Sequence, residues 1–396
     1  MNSPTATIFL KDGRDASIRH RHPWVFSGAI ERASGEFEDG DIAQVCTSSG
    51  ETLGYAHVAP GTIALKMLQF GQGEFDIASF CAARIQAAVD LRRSLGLLDS
   101  ATTTGFRLIH AEGDGMPGLI VDWYNGTIVL QFHSVGMVLL REQILKGLAA
   151  SLGARLKSVY QQTIELEGLD PSAENESRYL IGSATNPEFT EYGIRFVADW
   201  EHGQKTGFFL DQRENRKLLS SLAHGRSVLN CFSYTGAFSS AAFAGGAKKV
   251  TSVDSSAAAL KLADESVRTQ FPRAEHHCLE ADCMHFLREI GPGYDLIVLD
   301  PPAFIKHRGA FTGGLKGYET INSNAIRQIE SGGLLFTFSC SQLLQRADFF
   351  NLLQRAALRV GREVRIVAEM HQAPCHPIAL AHPEGQYLKG FVLEVR

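Results

Sequence analysis

Apolar positions in the first 75 residues come in short runs separated by turn residues. Ile8–Leu10, Trp24–Phe26, Asp41–Cys46, Leu53–Val58 and Ile63–Leu68 alternate with clusters of Asp, Gly and Ser. Short strands punctuated in this way predict a small β-barrel or sandwich, with Gly71-Gln-Gly73 as its exit. From Phe75 to Leu98 the spacing turns helical. Phe80, Ala83, Ile85, Ala88, Val89, Leu91 and Leu95 form the apolar set, and Arg84, Arg92 and Arg93 are expected on the other side. Phe106–His110, Leu119–Trp123 and Thr127–Phe132 follow, then a helical stretch over Val138–Leu152. Strands and helices mix, so residues 76–190 are expected to form an α+β domain with a polar loop at residues 171–177.

From Glu191 the rhythm changes again. Ser227–Cys231, Lys249–Asp254, Glu275–Leu279, Tyr294–Asp300 and Gly333–Ser339 are apolar runs alternating with helical stretches. That alternation predicts a doubly wound α/β parallel sheet with helices on both faces. Val364–Glu369 and Tyr387–Val395 lack a helical pattern between them and read as a closing antiparallel hairpin.

Composition narrows the class. With 396 residues, 44% hydrophobic and 20% charged, the chain suits two or three globular domains and excludes disorder over most of its length. The longest charge-free run, Ser227–Ala247, carries Asn230, Thr235, serines and glycines, so it is not expected to span a membrane. No signal peptide is read at the start, where a basic n-region and an apolar h-region are both missing. Seven scattered cysteines without a CxxC pair fit a reducing cytoplasm better than a disulfide framework. The net charge of −5 means that any nucleic-acid binding needs a local basic face.

In an open α/β sheet, ligands bind beyond the carboxyl ends of the strands. Those ends carry Asn230–Gly236, Asp254-Ser-Ser, Glu280-Ala-Asp282, Asp300-Pro-Pro-Ala-Phe304 and Ser339-Cys-Ser341. Asp254, 18 residues after Gly236, has the spacing of a ribose ligand, a feature NAD enzymes share. The first turn lacks GxGxxG, which leaves a pyrophosphate poor access to helix amides. A nucleoside cofactor without phosphates, such as S-adenosylmethionine, fits better. Asp300-Pro-Pro reads either as a strand-ending turn or as a stiff platform beside a flat base, with Phe304 available for stacking.

Cys340 is the candidate nucleophile, against the bland alternative that it packs as a small hydrophobe. Two Cys/His clusters, His276–Cys278 with Cys283 and His285, and His371 with Cys375, His376 and His382, match no zinc spacing, so no metal is expected. Basic residues crowd Lys11–His22 ahead of Trp24 and Phe26, and others lie at Lys205, Arg213, Lys306 and Lys316. They suit RNA phosphates and stacking, or are solvated faces.

Taken in order and spacing, these segments resemble the PUA-domain-containing class I methyltransferases, specifically the RlmI-type large-subunit ribosomal RNA cytosine-C5 methyltransferases. The resemblance spans nearly the whole chain. It rests on Arg21–Gly28, Arg107–Asp122, Lys205–Arg213, Leu229–Phe238, Val253-Asp254, Asp300–Phe304, Gly317–Asn322, Phe338–Ser341 and Pro383–Lys389. Ala303 and Cys375 depart from the pattern.

The resemblance implies an N-terminal PUA β-barrel that binds RNA (residues 1–75) and a central α+β domain (76–190). A Rossmann-like S-adenosylmethionine-dependent methyltransferase domain (191–396) completes the chain. It places the cofactor at Asn230, Phe232, Tyr234, Gly236, Asp254, Ser255, Asp282 and Asp300, and RNA at Arg19, Arg21, Lys205, Arg213, Phe304 and Lys306. Cys340 matches a nucleophile that adds to cytosine C6, and Asp300 an acidic group engaging N3. The implied product is 5-methylcytosine in 23S ribosomal RNA, made in the cytoplasm with no membrane partner. Monomer and homodimer both stay open. The alternatives are a guanine methyltransferase on the same fold, in which Cys340 only packs, and a non-catalytic RNA-binding or ribosome-assembly factor.

Overall fold

The computed structural model describes residues 4, 6–164, 176–183, 186–203 and 205–396. Most of the polar loop expected at 171–177, and residues 1–3 and 5 of the stretch read for a signal peptide, lie outside the described residues. The chain forms two compact units. The first comprises Met1–Phe189, Val197–Leu210 and Pro374–Gly385; the second comprises Thr190–Phe196, Asp211–Ala373 and Gln386–Arg396. No helix among the described residues is long and apolar enough to cross a membrane.

The first unit opens with β1 (Ala6–Leu10), the short α1 (Ala16–Arg19), β2 (Trp24–Phe26), β3 (Ile30–Ser34), β4 (Ile42–Cys46), β5 (Thr52–Val58) and β6 (Ile63–Phe70). They form a sheet ordered β2-β6-β5-β4-β1-β3. Alternation sets its inner face: Ala6, Ile8 and Leu10 are buried while Thr7 and Phe9 are half-exposed. Ile8, Val25, Val45, Leu65 and Met67 meet in one core. β3 was not expected. It is a mostly exposed edge strand with no apolar alternation, held by antiparallel pairing to β1.

α2 (Ile77–Ser94), β7 (Gly105–His110), β8 (Leu119–Tyr124), β9 (Thr127–Phe132), α3 (Val135–Leu139), α4 (Arg141–Leu152), β10 (Ser158–Gln161) and β11 (Arg178–Ile181) follow. The strands make a second sheet, β11-β10-β9-β8-β7, in which β9 and β10 run parallel across the α3–α4 crossover. The helix expected over Val138–Leu152 is divided at Leu140 into α3 and α4. A two-stranded hairpin, β12 (Glu188–Glu191) with β13 (Ile194–Val197), comes next.

Arg92 is not on the solvent side of α2 as expected. It is fully buried. Its guanidinium forks onto Asp114 (2.5 and 2.8 Å) and donates to the carbonyls of Arg107 (2.9 Å) and Cys375 (2.7 Å). The late segment Pro374–Gly385 thus supplies part of the first unit's interior. The imidazole of His382 also lies 4.4 Å from the ring of Trp24, and a Cβ at Gly113 would meet the Pro377 carbonyl oxygen at 2.0 Å.

The second unit carries α5 (Arg213–Leu222), β14 (Ser227–Cys231), α6 (Ala237–Ala244), β15 (Lys249–Asp254), α7 (Ala257–Gln270), β16 (Glu275–Glu280), α8 (Cys283–Phe286), β17 (Leu296–Leu299), α9 (Phe311–Gln328), β18 (Gly333–Ser339), α10 (Arg346–Val360), β19 (Val364–His371) and β20 (Lys389–Val395). Its sheet is ordered β16-β15-β14-β17-β18-β20-β19, parallel through β18. The final hairpin forms as expected, with β20 inserted antiparallel between β18 and β19. Both faces are covered. Leu229 and Cys231 enter the core containing α9 and α10, and Val228 enters the core containing α5 and α6.

Two outcomes follow from this packing. Replacing Arg92 with Leu strands the Asp114 carboxylate and should cost about 3–5 kcal/mol of stability in chemical denaturation. An unchanged unfolding midpoint contradicts that assignment. The second outcome concerns pH. Burial pushes His57 down to about 3 and His133 to about 4, and holds His110 well below the ordinary range. Because these folded values lie below the unfolded value, the unfolded chain takes up protons first on acidification. For His57 and His133 the contribution is present above pH ~6.5 and is lost as pH falls toward 4 and below, on the order of 2 kcal/mol each by pH 5, and His110 acts in the same direction. Trp24, Trp123 and Trp200 all belong to the first unit. Tryptophan-detected urea midpoints should therefore fall between pH 7 and 5, and His57→Leu should flatten that slope.

Candidate active site

Parallel pairing brings five strand ends to one edge of the second unit's sheet. Cys231 lies opposite Val253 and Leu299, Leu299 opposite Thr337, and Asp254 opposite Glu280. The segments beyond them carry Phe232–Gly236, Asp282, Asp300 and Cys340, with Asp254 closing β15.

The loop after β14 alternates into left-handed backbone, with φ of 59° at Phe232, 47° at Tyr234 and 74° at Gly236. Its amides are spent inward. Phe232 N–H donates to Cys283 Sγ (3.1 Å), Ser233 N–H to the Val253 carbonyl (3.1 Å), Tyr234 N–H to Asp254 Oδ2 (2.8 Å) and Gly236 N–H to the Ser233 carbonyl (2.9 Å). A pyrophosphate finds none of these donors free. Gly236 also tolerates no side chain: a Cβ there would stand 2.7 Å from the Ala263 Cβ. Ser256 N–H holds Asp254 Oδ1 (3.0 Å), so two amides orient the carboxylate. Each oxygen keeps acceptor capacity for a hydroxyl donor, which is what a ribose offers. The donor set therefore fits a nucleoside without phosphates. Ser255 is exposed beside it. Asp282 is exposed and caps α8, its Oδ1 accepting from Met284 N–H at 2.7 Å.

Asn230 is placed differently from what a cofactor contact through its side chain would need. It is buried, and its Nδ2 donates to Ser239 Oγ (2.9 Å). Ser239 meets Ser252 (2.7 Å), Ser252 meets His276 Nε2 (2.8 Å), and His276 Nδ1 meets Asp264 Oδ1 (3.2 Å). Passing each proton the same way along this chain satisfies every junction with a neutral imidazole, in keeping with the lowering of the His276 pKa by burial. Asp264, His276 and Cys278 also stand within metal-holding range of one another. Arg268 already occupies the other Asp264 oxygen at 2.5 Å, however, and the proton chain accounts for His276.

Asp300 and Cys340 lie on segments that follow neighbouring strands. Gln212 Nε2 donates to Asp300 Oδ1 (3.0 Å), and Asn215 Nδ2 in turn holds Gln212 Oε1 (2.5 Å) and the His371 carbonyl (3.1 Å). Cys340 is half-buried, with Sγ 3.9 Å from the Pro301 carbonyl oxygen. Ser341 ties the two segments together: its Oγ accepts from Ile305 N–H (3.1 Å) and bonds the Tyr318 hydroxyl (2.9 Å). Phe304 N–H reaches that hydroxyl at 3.4 Å, and the Phe304 and Tyr318 rings lie 4.6 Å apart. Gly314 makes room for this loop, since a Cβ there would be 2.3 Å from Ile305 Cγ1. Elsewhere burial pushes the thiols of Cys46, Cys81, Cys231 and Cys278 up, Cys278 to about 11 and Cys81 to about 12.

The residues expected to meet RNA are scattered in character. Lys306 and Arg21 are exposed, and Lys205 is exposed with Nζ 4.6 Å from the Phe209 ring centre. Arg19 is exposed but paired with Asp15 and Glu51, each at 2.6 Å. Arg213 corrects the expectation. It is buried and bonded to Glu214 (3.0 Å), so it offers no surface to a phosphate. In the first unit Trp24 donates to Glu112 (2.9 Å), while Phe26 is exposed. The residue-level reading missed Gln212, Tyr318 and Ser341. The available signal was their place inside Lys205–Arg213, Gly317–Asn322 and Phe338–Ser341.

Comparison with known proteins agrees with this geometry. Residues 149–375 match the S-adenosylmethionine-dependent methyltransferase family, and residues 8–70 match a PUA-like domain. The chain is 36% identical over 404 residues to ribosomal RNA large subunit methyltransferase I of Erwinia tasmaniensis, covering 99% of this chain and 100% of that one. It is 38% identical over 401 residues to the protein of that name from Alteromonas mediterranea, covering 99% of each. In fold it is similar to a Streptococcus mutans protein assigned to the SAM-dependent methyltransferases, with a TM-score of 0.82 at 21% identity, covering 98% of this chain and 99% of that one. A methyltransferase-assigned structure complexed with SAH gives the same TM-score, identity and coverage. The chain belongs to the ribosomal RNA large subunit methyltransferase I family of S-adenosylmethionine-dependent methyltransferases, with a PUA-like domain near its amino terminus.

Proposed function

We propose that the chain methylates C5 of a cytosine in large-subunit ribosomal RNA in the cytoplasm, through a covalent adduct at Cys340. The single observation that carries the chemistry is the tying of the Cys340 and Asp300 segments through Ser341 and Tyr318 at neighbouring strand ends. We assign RNA capture to residues 1–75, the connecting role to 76–190 and the chemistry to 191–396.

S-adenosylmethionine supplies an electrophilic methyl group when bound, and Asp254 with the Phe232–Gly236 loop would hold its nucleoside. Cytosine C5 is too weak a nucleophile on its own. Attack of the Cys340 thiolate on C6 forms an S–C bond and pushes the ring electrons toward C5, while a proton at N3 balances the charge. We assign that proton or hydrogen bond to Asp300, a reading supported by the Gln212 amide that donates to its Oδ1. After methylation, loss of the C5 proton re-forms the C5–C6 double bond as the S–C bond breaks and the thiolate leaves, and the N3 proton returns to Asp300. The base must be unstacked or flipped to reach this edge.

Cys340→Ser should lower turnover by at least about 10³-fold, as removal of a nucleophile does, with cofactor affinity unchanged. The readout is nucleoside mass spectrometry of unmodified large-subunit RNA incubated with S-adenosylmethionine. Methylated guanosine, or full turnover by the serine variant, would sink the covalent reading. Asp254→Ala removes an acceptor for ribose hydroxyls and should weaken S-adenosylmethionine binding about 10- to 100-fold in calorimetry, without unfolding the chain. Wild-type affinity in that variant would move the cofactor elsewhere.

A further inference from the structure

Lys389 is a lysine where a lysine is costly. It is buried at 5% exposure on β20, directly opposite Ser339 on β18. An ammonium is kept in such a place only if its protons find acceptors. Its Nζ donates to the carbonyls of Ser341 and Leu344, both at 2.7 Å. The two bonds clamp the segment that leaves Cys340, on the side opposite in sequence to Ser339. Ser341 is also the residue whose hydroxyl ties this segment to the Asp300 loop. One buried cation therefore fixes the backbone on which the thiol is mounted, since Cys340 lies between Ser339, the register partner of Lys389, and Ser341, whose carbonyl Lys389 holds.

We infer that Lys389 is a positioning residue that holds the Ser341–Leu344 segment and favours the thiolate form of Cys340. This rests on the reading of Cys340 as nucleophile. A fixed positive charge in a water-poor site lowers the cost of forming an anion nearby, by about one to three units of thiol pKa when close. Burial pushes Lys389 down to about 8, so the ammonium is still mostly charged at neutral pH. The other titratable groups on the segments around this pair are Tyr318 on α9, which bonds Ser341, Asp300, which precedes the Pro301 carbonyl beside the thiol, and His371, paired with Lys389 across β19. Tyr318 is pushed up by burial and stays a neutral phenol, and the His371 imidazole nitrogen Nδ1 contacts the Gln372 carbonyl (2.8 Å). Of the groups just named, Lys389 is the one buried cation.

The test is the pH dependence of Cys340 alkylation by iodoacetamide in the full-length protein, resolved by peptide mass spectrometry. Lys389→Met should raise the midpoint by about one pH unit or more, slowing alkylation at pH 7 about tenfold. Lys389→Arg should keep the midpoint near that of the wild type, because it keeps the charge. An unshifted midpoint in a folded Lys389→Met protein overturns the inference. If that variant does not fold, Lys389→Gln, which keeps donors without charge, is compared with Lys389→Arg. Equal midpoints in those two overturn it as well. Turnover by Cys340→Ser is measured in parallel and tests the nucleophile separately. Lost turnover there with an unshifted Lys389→Met midpoint rejects only the lysine's role.

Discussion

Parallel pairing of β14 with β15 and β17, extended to β16 and β18, is the constraint from which the chemistry follows. A parallel ladder repeats direction, so every strand delivers its carboxyl end to the same edge. It also requires a crossover after each strand and apolar cover on both faces, which is why Leu229 and Val228 serve two different cores. Loops that are far apart in sequence are thereby brought together without having to find one another. The antiparallel β20 closes the ladder on one side and carries a buried charge to the thiol-bearing segment.

The edge is assembled by hydrogen bonds whose donors are mostly backbone. Asp254 is oriented by amides of Tyr234 and Ser256, and Ser341 by the amide of Ile305. Such positioning needs no long side chain to be ordered, so little rotamer entropy is lost. It also removes those amides from competition, which shapes what the edge can bind. A loop whose N–H groups are already paired welcomes hydroxyls at a carboxylate more readily than phosphate oxygens at a helix start.

Much of the architecture was legible because burial imposes a period. The inner strands of the second unit, β14, β15, β17, β18 and β20, the five apolar runs of the first sheet and α2 all announce themselves by spacing. β3 did not, because an exposed edge strand has no face to bury, and β10 and β11 were too short to stand out. At the site, the residues that end strands could be found by position. Those that act through distant partners could not. Arg92 looked like a solvated helix residue and is fully buried, Arg213 looked like a phosphate ligand and is internal, and Gln212 touches Asp300 across 88 positions of sequence. Polarity alone does not reveal which charged groups will be enclosed, because that depends on acceptors supplied by other segments.

The segment between β19 and β20 gives the first unit a late component. Residues 374–385 belong to that unit, and the Cys375 carbonyl is one of the acceptors of the buried Arg92 guanidinium. A ribosome making this chain has produced both sheets of the first unit long before that acceptor exists. During synthesis that acceptor becomes available to Arg92 only after β14 through β19 have been translated. The first unit can reach its final form only once residues 374–385 exist, so its completion waits on synthesis of the second unit through β19.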